Sequence, residues 1–232
     1  MNYTSSFLKK SSYHAQRPIY LERASTLRGN RWEKNVYYGI SEYLNSGPEP
    51  NGYVHRLPVQ VIHGRISRPQ IIDVLVDNAD GYSFGIECKS SLKPSIRLST
   101  WFRHGGKDGQ FAKENDFLST AGRIGIVALV LREAGSDESS QRFGAYLIPW
   151  HVAVMILTWE ITTDLLDRYA ARGVVYQIPT VDTRVWLPPQ DVGIFRRLAE
   201  MDKMVEEIVN ERKKREILRA KPPNPPKSKK GG

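Results

Sequence analysis

The amino-acid sequence predicts an α/β fold with a mixed central sheet flanked by helices, and three observations carry that expectation. Residues 71–77 and 84–89 are two apolar runs joined by Asn78-Ala79-Asp80-Gly81, residue types that make hairpin loops. Ile124 to Leu131 is a continuous apolar run, which suits a strand buried on both faces. Apolar residues at helical spacing lie before the hairpin and again between it and this run.

The first helix opens near Asn30, with Trp32, Val36, Ile40 and Tyr43 or Leu44 on one stripe. Asn30 suits the N-cap, and Glu33 three residues later completes a capping box. In the hairpin, side chains alternate between faces. Glu87 and Lys89 therefore share one face and Ile86 and Cys88 the other, and pairing across the turn brings Asp73 near Glu87. Asp77 shares a face with Asp73 and competes with it, but it stands at the hairpin end, where Asp is a common turn residue. Residues 109–122 read as a helix with Phe111, Phe117, Leu118 and Ala121 buried and Gly122 at C′. Phe143 to Ile148 is a strand ended by Pro149. His151 to Leu157 reads as a helix or a buried segment and 160–171 as a helix. Val174 to Pro179 and Thr183 to Leu187 read as strands. A long helix follows from Pro189 to Arg219, with Ile194, Leu198, Met201, Val205, Ile208 and Val209 on one stripe.

The chain divides into a flexible basic arm (1–27), a folded domain with a helical extension (28–211), and a basic helix end with a disordered Pro/Lys tail (212–232). A hydrophobic fraction of 40% over 232 residues is enough for one sizeable core. The tail holds nine Lys or Arg against one Glu, which is +8 of the chain's net +9. The rest is not broadly basic, so anion binding there comes from local patches. One patch is Lys93, Arg97, Arg103, His104 and Lys107, interleaved with Trp101 and Phe102, a mixture that suits phosphate contacts and base packing. The single cysteine, Cys88, excludes an intramolecular disulfide and reads as a strand residue. The five histidines do not cluster at metal-ligand spacing. No apolar run is long enough to span a membrane and no signal peptide is evident, so the expectation is an intracellular, cytoplasmic protein.

Two carboxylates converging beside a lysine are the apparatus of a divalent-metal site. Mg²⁺ takes oxygen ligands, keeps several waters, and is held by one or two carboxylates plus substrate phosphate oxygens. Asp73 and Glu87 fit the ligand role, the Cys88 carbonyl offers a further oxygen, and Lys89 fits a residue that positions water or stabilises developing charge. Mn²⁺ is the alternative ion.

An acid, a hairpin, and then Glu87-Cys88-Lys89 together resemble the PD-(D/E)xK nuclease superfamily, with Ile72 standing where the motif name has proline. The resemblance implies a restriction-endonuclease-like αβββαβ core. More narrowly, Arg28 to Glu33, Asp73, Glu87 to Ser90, Gln110, Gly122 to Leu131 and Phe143 to Trp150 resemble archaeal and bacterial Holliday junction resolvases. From that resemblance Glu33 faces the metal from the first helix, and Gln110 orients water or phosphate. Arg28, Arg31 and the N-terminal arm contact DNA. The partners it implies are branched DNA and a second copy of the chain, as a homodimer. A restriction- or repair-type endonuclease on the same fold, and a DNA-binding protein without catalysis, are the alternatives.

Overall fold

The computed structural model describes residues 24–46, 51–57, 60–62, 65–68, 71–91, 93, 95–102, 109–132, 143–181, 184–185, 187–189, 191 and 193–219. Helix α1 (Ala24–Leu44) leads into β1 (Gly52–Arg56) and a small hairpin, β2 (Gln60–Ile62) and β3 (Arg65–Arg68). The hairpin of β4 (Val74–Asn78) and β5 (Ser83–Ser91) follows, then β6 (Ser95–Ile96), α2 (Leu98–Trp101) and α3 (Gln110–Thr120). Next come β7 (Ile124–Arg132), β8 (Phe143–Pro149), α4 (Trp150–Met155), β9 (Ile161–Thr162) and α5 (Thr163–Ala171). The chain continues through β10 (Tyr176–Ile178), β11 (Thr180–Val181), β12 (Arg184–Val185) and α6 (Ile194–Arg219).

Six strands form the central sheet in the order β1-β4-β5-β7-β8-β10. Every neighbouring pair is antiparallel except β5 and β7, which run parallel. A parallel pair needs a crossover, and α3 lies within it. The sheet is therefore mixed, with helices on both faces. Val74, Val76, Ile86, Ile126, Ala128 and Val130 face α1 and the first turns of α6. Val127, Leu129 and Leu131 face the layer containing Phe102, Leu118, Trp150 and Leu166. β7 is thus buried on both faces, which is why its sequence lacks alternation.

Local chemistry sets the turns. Gly81, at φ +83°, closes the β4–β5 turn, and Asn78 Oδ1 accepts the Tyr82 N–H at 2.9 Å. Gly122, at φ +61°, ends α3 in a Schellman motif: Arg123 N–H donates to the Leu118 carbonyl at 2.8 Å and Gly122 N–H to Ser119 at 3.2 Å.

Several expectations are corrected. α1 starts at Ala24, so Asn30 and Glu33 are interior helical residues and not a capping box. The propensity deficits of Gly29 and Asn30, roughly 1 kcal/mol or less each, do not stop a helix anchored by the buried stripe Trp32, Val36, Ile40 and Leu44. β4 begins at Val74, leaving Ile71, Ile72 and Asp73 ahead of the strand. In α3, Ala121 is the C-cap and is exposed, whereas Glu114 joins Leu118 as a fully buried residue. α6 starts at Ile194, after the expected Pro189, and its packing fades beyond Val205, leaving Ile208 59% exposed. Residues 1–23 and 220–232 lie outside the described residues.

Candidate active site

The β4–β5 register places Val74 opposite Ile86, and one further step sets Asp73 opposite Glu87. Asp73 N–H donates to the Ile86 carbonyl at 3.2 Å, and Asp73 Oδ2 accepts the Cys88 N–H at 2.7 Å. The main chain of the hairpin therefore fixes this carboxylate. Glu87 is only 3% exposed, and its Oε1 accepts from Lys89 Nζ and from Gln110 Nε2, the latter at 3.1 Å. Lys89 Nζ also stands 5.1 Å from the centre of the Phe102 ring, a cation–π placement. Phe102 meets Phe111 and Trp150 edge-on, Phe111 stacks on Trp150 at 4.6 Å, and Trp150 Nε1 donates to Asn115 Oδ1 at 3.0 Å. An apolar wall thus backs the lysine.

Glu33 arrives from α1, buried, and its Oε1 accepts from Arg56 Nε at 2.5 Å. Arg56 is the β1 residue opposite Val74, so this ion pair sits beside the start of β4. Glu114 is fully buried on α3, four residues after Gln110 and so on the same side of the helix. Neither of its carboxyl oxygens has a hydrogen-bond partner among the described residues.

The acids raise one another. Burial and the facing Glu87 push the Asp73 carboxyl up to about 8, against the Cys88 N–H. Burial raises Glu87 too, with Lys89 and Gln110 opposing. Burial and Glu87 push Glu114 up to about 9, while Lys89 and the Gln110 amide pull it the other way. For Lys89, burial works against the charge, but Glu87 outweighs it and the ammonium is held above its ordinary value. Burial raises the Cys88 thiol well above its ordinary value, which removes it as a thiolate nucleophile.

An oxygen-only donor set with surplus negative charge suits a hard divalent cation that keeps waters of its own. Among the described residues, no three His, Cys, Asp or Glu side chains stand as a ready metal cage. Arg56 engages Glu33, and Lys89 and Gln110 engage Glu87.

The structure brings Glu33, Asp73, Glu87, Lys89 and Gln110 into one electrostatic cluster. Asp77 lies apart, paired with Arg123 at 2.9 Å. Arg31, Lys93 and Arg97 are exposed. The Arg28 side chain, Arg103, His104 and Lys107 lie outside the described residues. Sequence reasoning missed Arg56 and Glu114. The spacing of Glu114 from Gln110, one helical turn, was the available signal for it. Arg56 gave none, since β1 has no apolar run.

No protein-family model matches the chain, and no curated protein matches it. Among solved structures, the chain is similar to Hjc, a Holliday junction resolvase from the archaeal hyperthermophile Archaeoglobus fulgidus. The identity is 16%, the match covers 50% of this chain and 70% of that one, and the TM-score is 0.31. No described helix is long and apolar enough to cross a membrane.

Proposed function

We propose that the chain is a Mg²⁺-dependent endodeoxyribonuclease of the PD-(D/E)xK type, acting on branched DNA as a Holliday junction resolvase. The observation that carries this reading is Asp73 set opposite Glu87 across the hairpin, with Lys89 on the same face and ion-paired to Glu87. Asp73 and Glu87 would hold the cation, and Glu33 would join them, directly or through water, on leaving Arg56. Such an ion supplies Lewis-acid polarisation of the phosphate and a lowered pKa for attacking water.

The chain's own residues do the rest. Lys89 stabilises charge on the phosphoryl oxygens as water attacks phosphorus in line and the P–O3′ bond breaks. The departing 3′ oxygen takes a proton, and the 5′-phosphate stays on the other product. Gln110, fixed on Glu87, orients water or a phosphate oxygen. The aromatic wall behind Lys89 limits solvent, which strengthens the electrostatic terms. Preference for branched DNA rests on the sequence resemblance over residues 28–150, and paired cuts would need a homodimer.

The test is a cleavage assay with and without Mg²⁺ on a four-way junction, a linear duplex and a single strand. Wild type should place paired symmetric nicks in the junction alone. Glu87→Ala, Lys89→Ala and Asp73→Asn should each lower the rate by about 100-fold or more while junction binding persists. Asp77→Asn should cut normally; the reverse result for the two aspartates would move the metal site to Asp77. Cutting of the plain duplex would make the protein a restriction or repair nuclease. Binding without cutting would make it a DNA-binding protein on this scaffold.

A further inference from the structure

A buried carboxyl group without a hydrogen-bond partner is rare enough in folded proteins to require a cause. Glu114 is such a group, fully buried with both oxygens unpartnered among the described residues. Its place is not arbitrary. It follows Gln110 by one turn of α3, and Gln110 holds Glu87. In its ionised form Glu114 attracts the Lys89 ammonium, and the ammonium favours that form. The Lys89 ammonium is engaged with Glu87 Oε1, the oxygen that Gln110 also uses. A divalent cation on Glu87 would compete for that oxygen and repel the ammonium. Lys89 is largely buried, with 15% of its side chain exposed, so it cannot recover by entering water without leaving the Phe102 wall.

We propose that Glu114 is a positioning residue for Lys89: when a divalent cation takes Glu87, Glu114 gives up its proton to solvent, and the Lys89 ammonium transfers its ion pair from Glu87 to Glu114 and stays in the site. The inference rests on the reading of Asp73 and Glu87 as a cation site, and it adds the group that keeps Lys89 ordered once the cation is present. It also gives a role to an acid that has no hydrogen-bond partner among the described residues: Glu114 is the receiving group for Lys89 when Glu87 is taken.

The test follows the Lys89 ammonium by ¹⁵N NMR during a Mg²⁺ titration of the full chain, wild type beside Glu114→Gln. In wild type the signal should shift as Mg²⁺ is added and remain sharp. In Glu114→Gln it should match wild type without Mg²⁺ and broaden or vanish when Mg²⁺ is added. On a cleavable DNA, Glu114→Gln should lower kcat by about 10- to 100-fold with KM unchanged, and Glu114→Asp should recover part of the loss. A Lys89 signal that ignores Mg²⁺ in wild type overturns the transfer. So does a Glu114→Gln protein whose signal is already lost without Mg²⁺, or one that retains full kcat. If wild type cuts no DNA but shows the Mg²⁺-dependent difference between the two proteins, the nuclease reading fails and the role of Glu114 stands.

Discussion

Asp73 and Glu114 are held where charge is disfavoured, and this makes the stability of the metal-free protein depend on pH. The unfolded Asp73 loses its proton near the ordinary value of 3.8, the folded one near 8. For Glu114 the corresponding values are 4.5 and about 9. Between those limits the native state binds more protons than the unfolded state, so stability falls as pH rises. The contribution is fully present below about pH 4 and is lost as pH rises through 8 to 9. In EDTA, the melting temperature should fall between about pH 5 and about pH 9, and Glu114→Gln should flatten the fall. A melting temperature that is constant across this window in wild type would mean that both acids are ionised in the native protein. The two acids also differ in how legible they are. Asp73 opposite Glu87 follows from counting back along a hairpin whose turn is marked by Asn78 and Gly81. Glu114 does not follow from apolar periodicity, because that pattern assigns a charged residue to water by default. Arg56 was hidden for a different reason: it sits on a short edge strand whose exposed side chains carry no alternating apolar signal.

At the scale of the element, α3 must lie very close to the sheet to bring Gln110 and Glu114 over β5. Leu118 sits at the point of closest approach, against glycine on two neighbouring strands. A Cβ on Gly85 would meet Leu118 Cδ2 at 2.6 Å. One on Gly125 would meet Leu118 Cδ1 at 2.7 Å and Trp150 Cβ at 2.8 Å. The first obstacle is the end of a side chain that can rotate; the second includes an atom fixed to the backbone of α4. Gly125→Ala should therefore cost more than Gly85→Ala, about 1–3 kcal/mol by overpacking, read as a lower denaturant midpoint. On the nuclease reading it should also slow cleavage, since α3 must lift away from Glu87. Equal stability for Gly125→Ala and wild type would mean that α3 leaves room for a methyl group above β7. The same region shows which elements are readable. β7 and the Schellman end of α3 were legible because a solid apolar run and a glycine at C′ have few alternatives. The start of α1 was not, since Gly29 and Asn30 imitate a helix boundary while the helix continues through them. Late in α6 the expected stripe is right at Val209, which packs on the core, and wrong at Ile208, where the periodicity outlasts the core it would pack on.

At the scale of the whole molecule, the proposed nuclease reading assigns catalysis and attraction for DNA to different parts of the chain. The region before residue 212 carries only +1 of the net +9, and the acids of the site subtract from whatever anion affinity it has. On the proposed reading a bound cation would offset part of that repulsion locally without supplying long-range capture. On that reading the 212–232 segment supplies it: its net charge of +8 attracts phosphates regardless of sequence. Its first turns belong to α6, where Arg212, Lys214 and Arg215 are exposed beyond the packed portion. Such a device raises affinity without discriminating between substrates, so it should be separable from the chemistry. Truncation at residue 211 should weaken binding to junction, duplex and single strand alike. The slope of log K against log salt should flatten by about 0.9 for each duplex phosphate that the tail no longer neutralises. At saturating DNA, the cleavage rate should stay within about 2-fold of wild type, because only uniform binding is removed and no interaction special to the transition state is touched. A slower rate at saturation would place part of the tail in the active site, and an unchanged salt slope would remove the tail from DNA binding altogether.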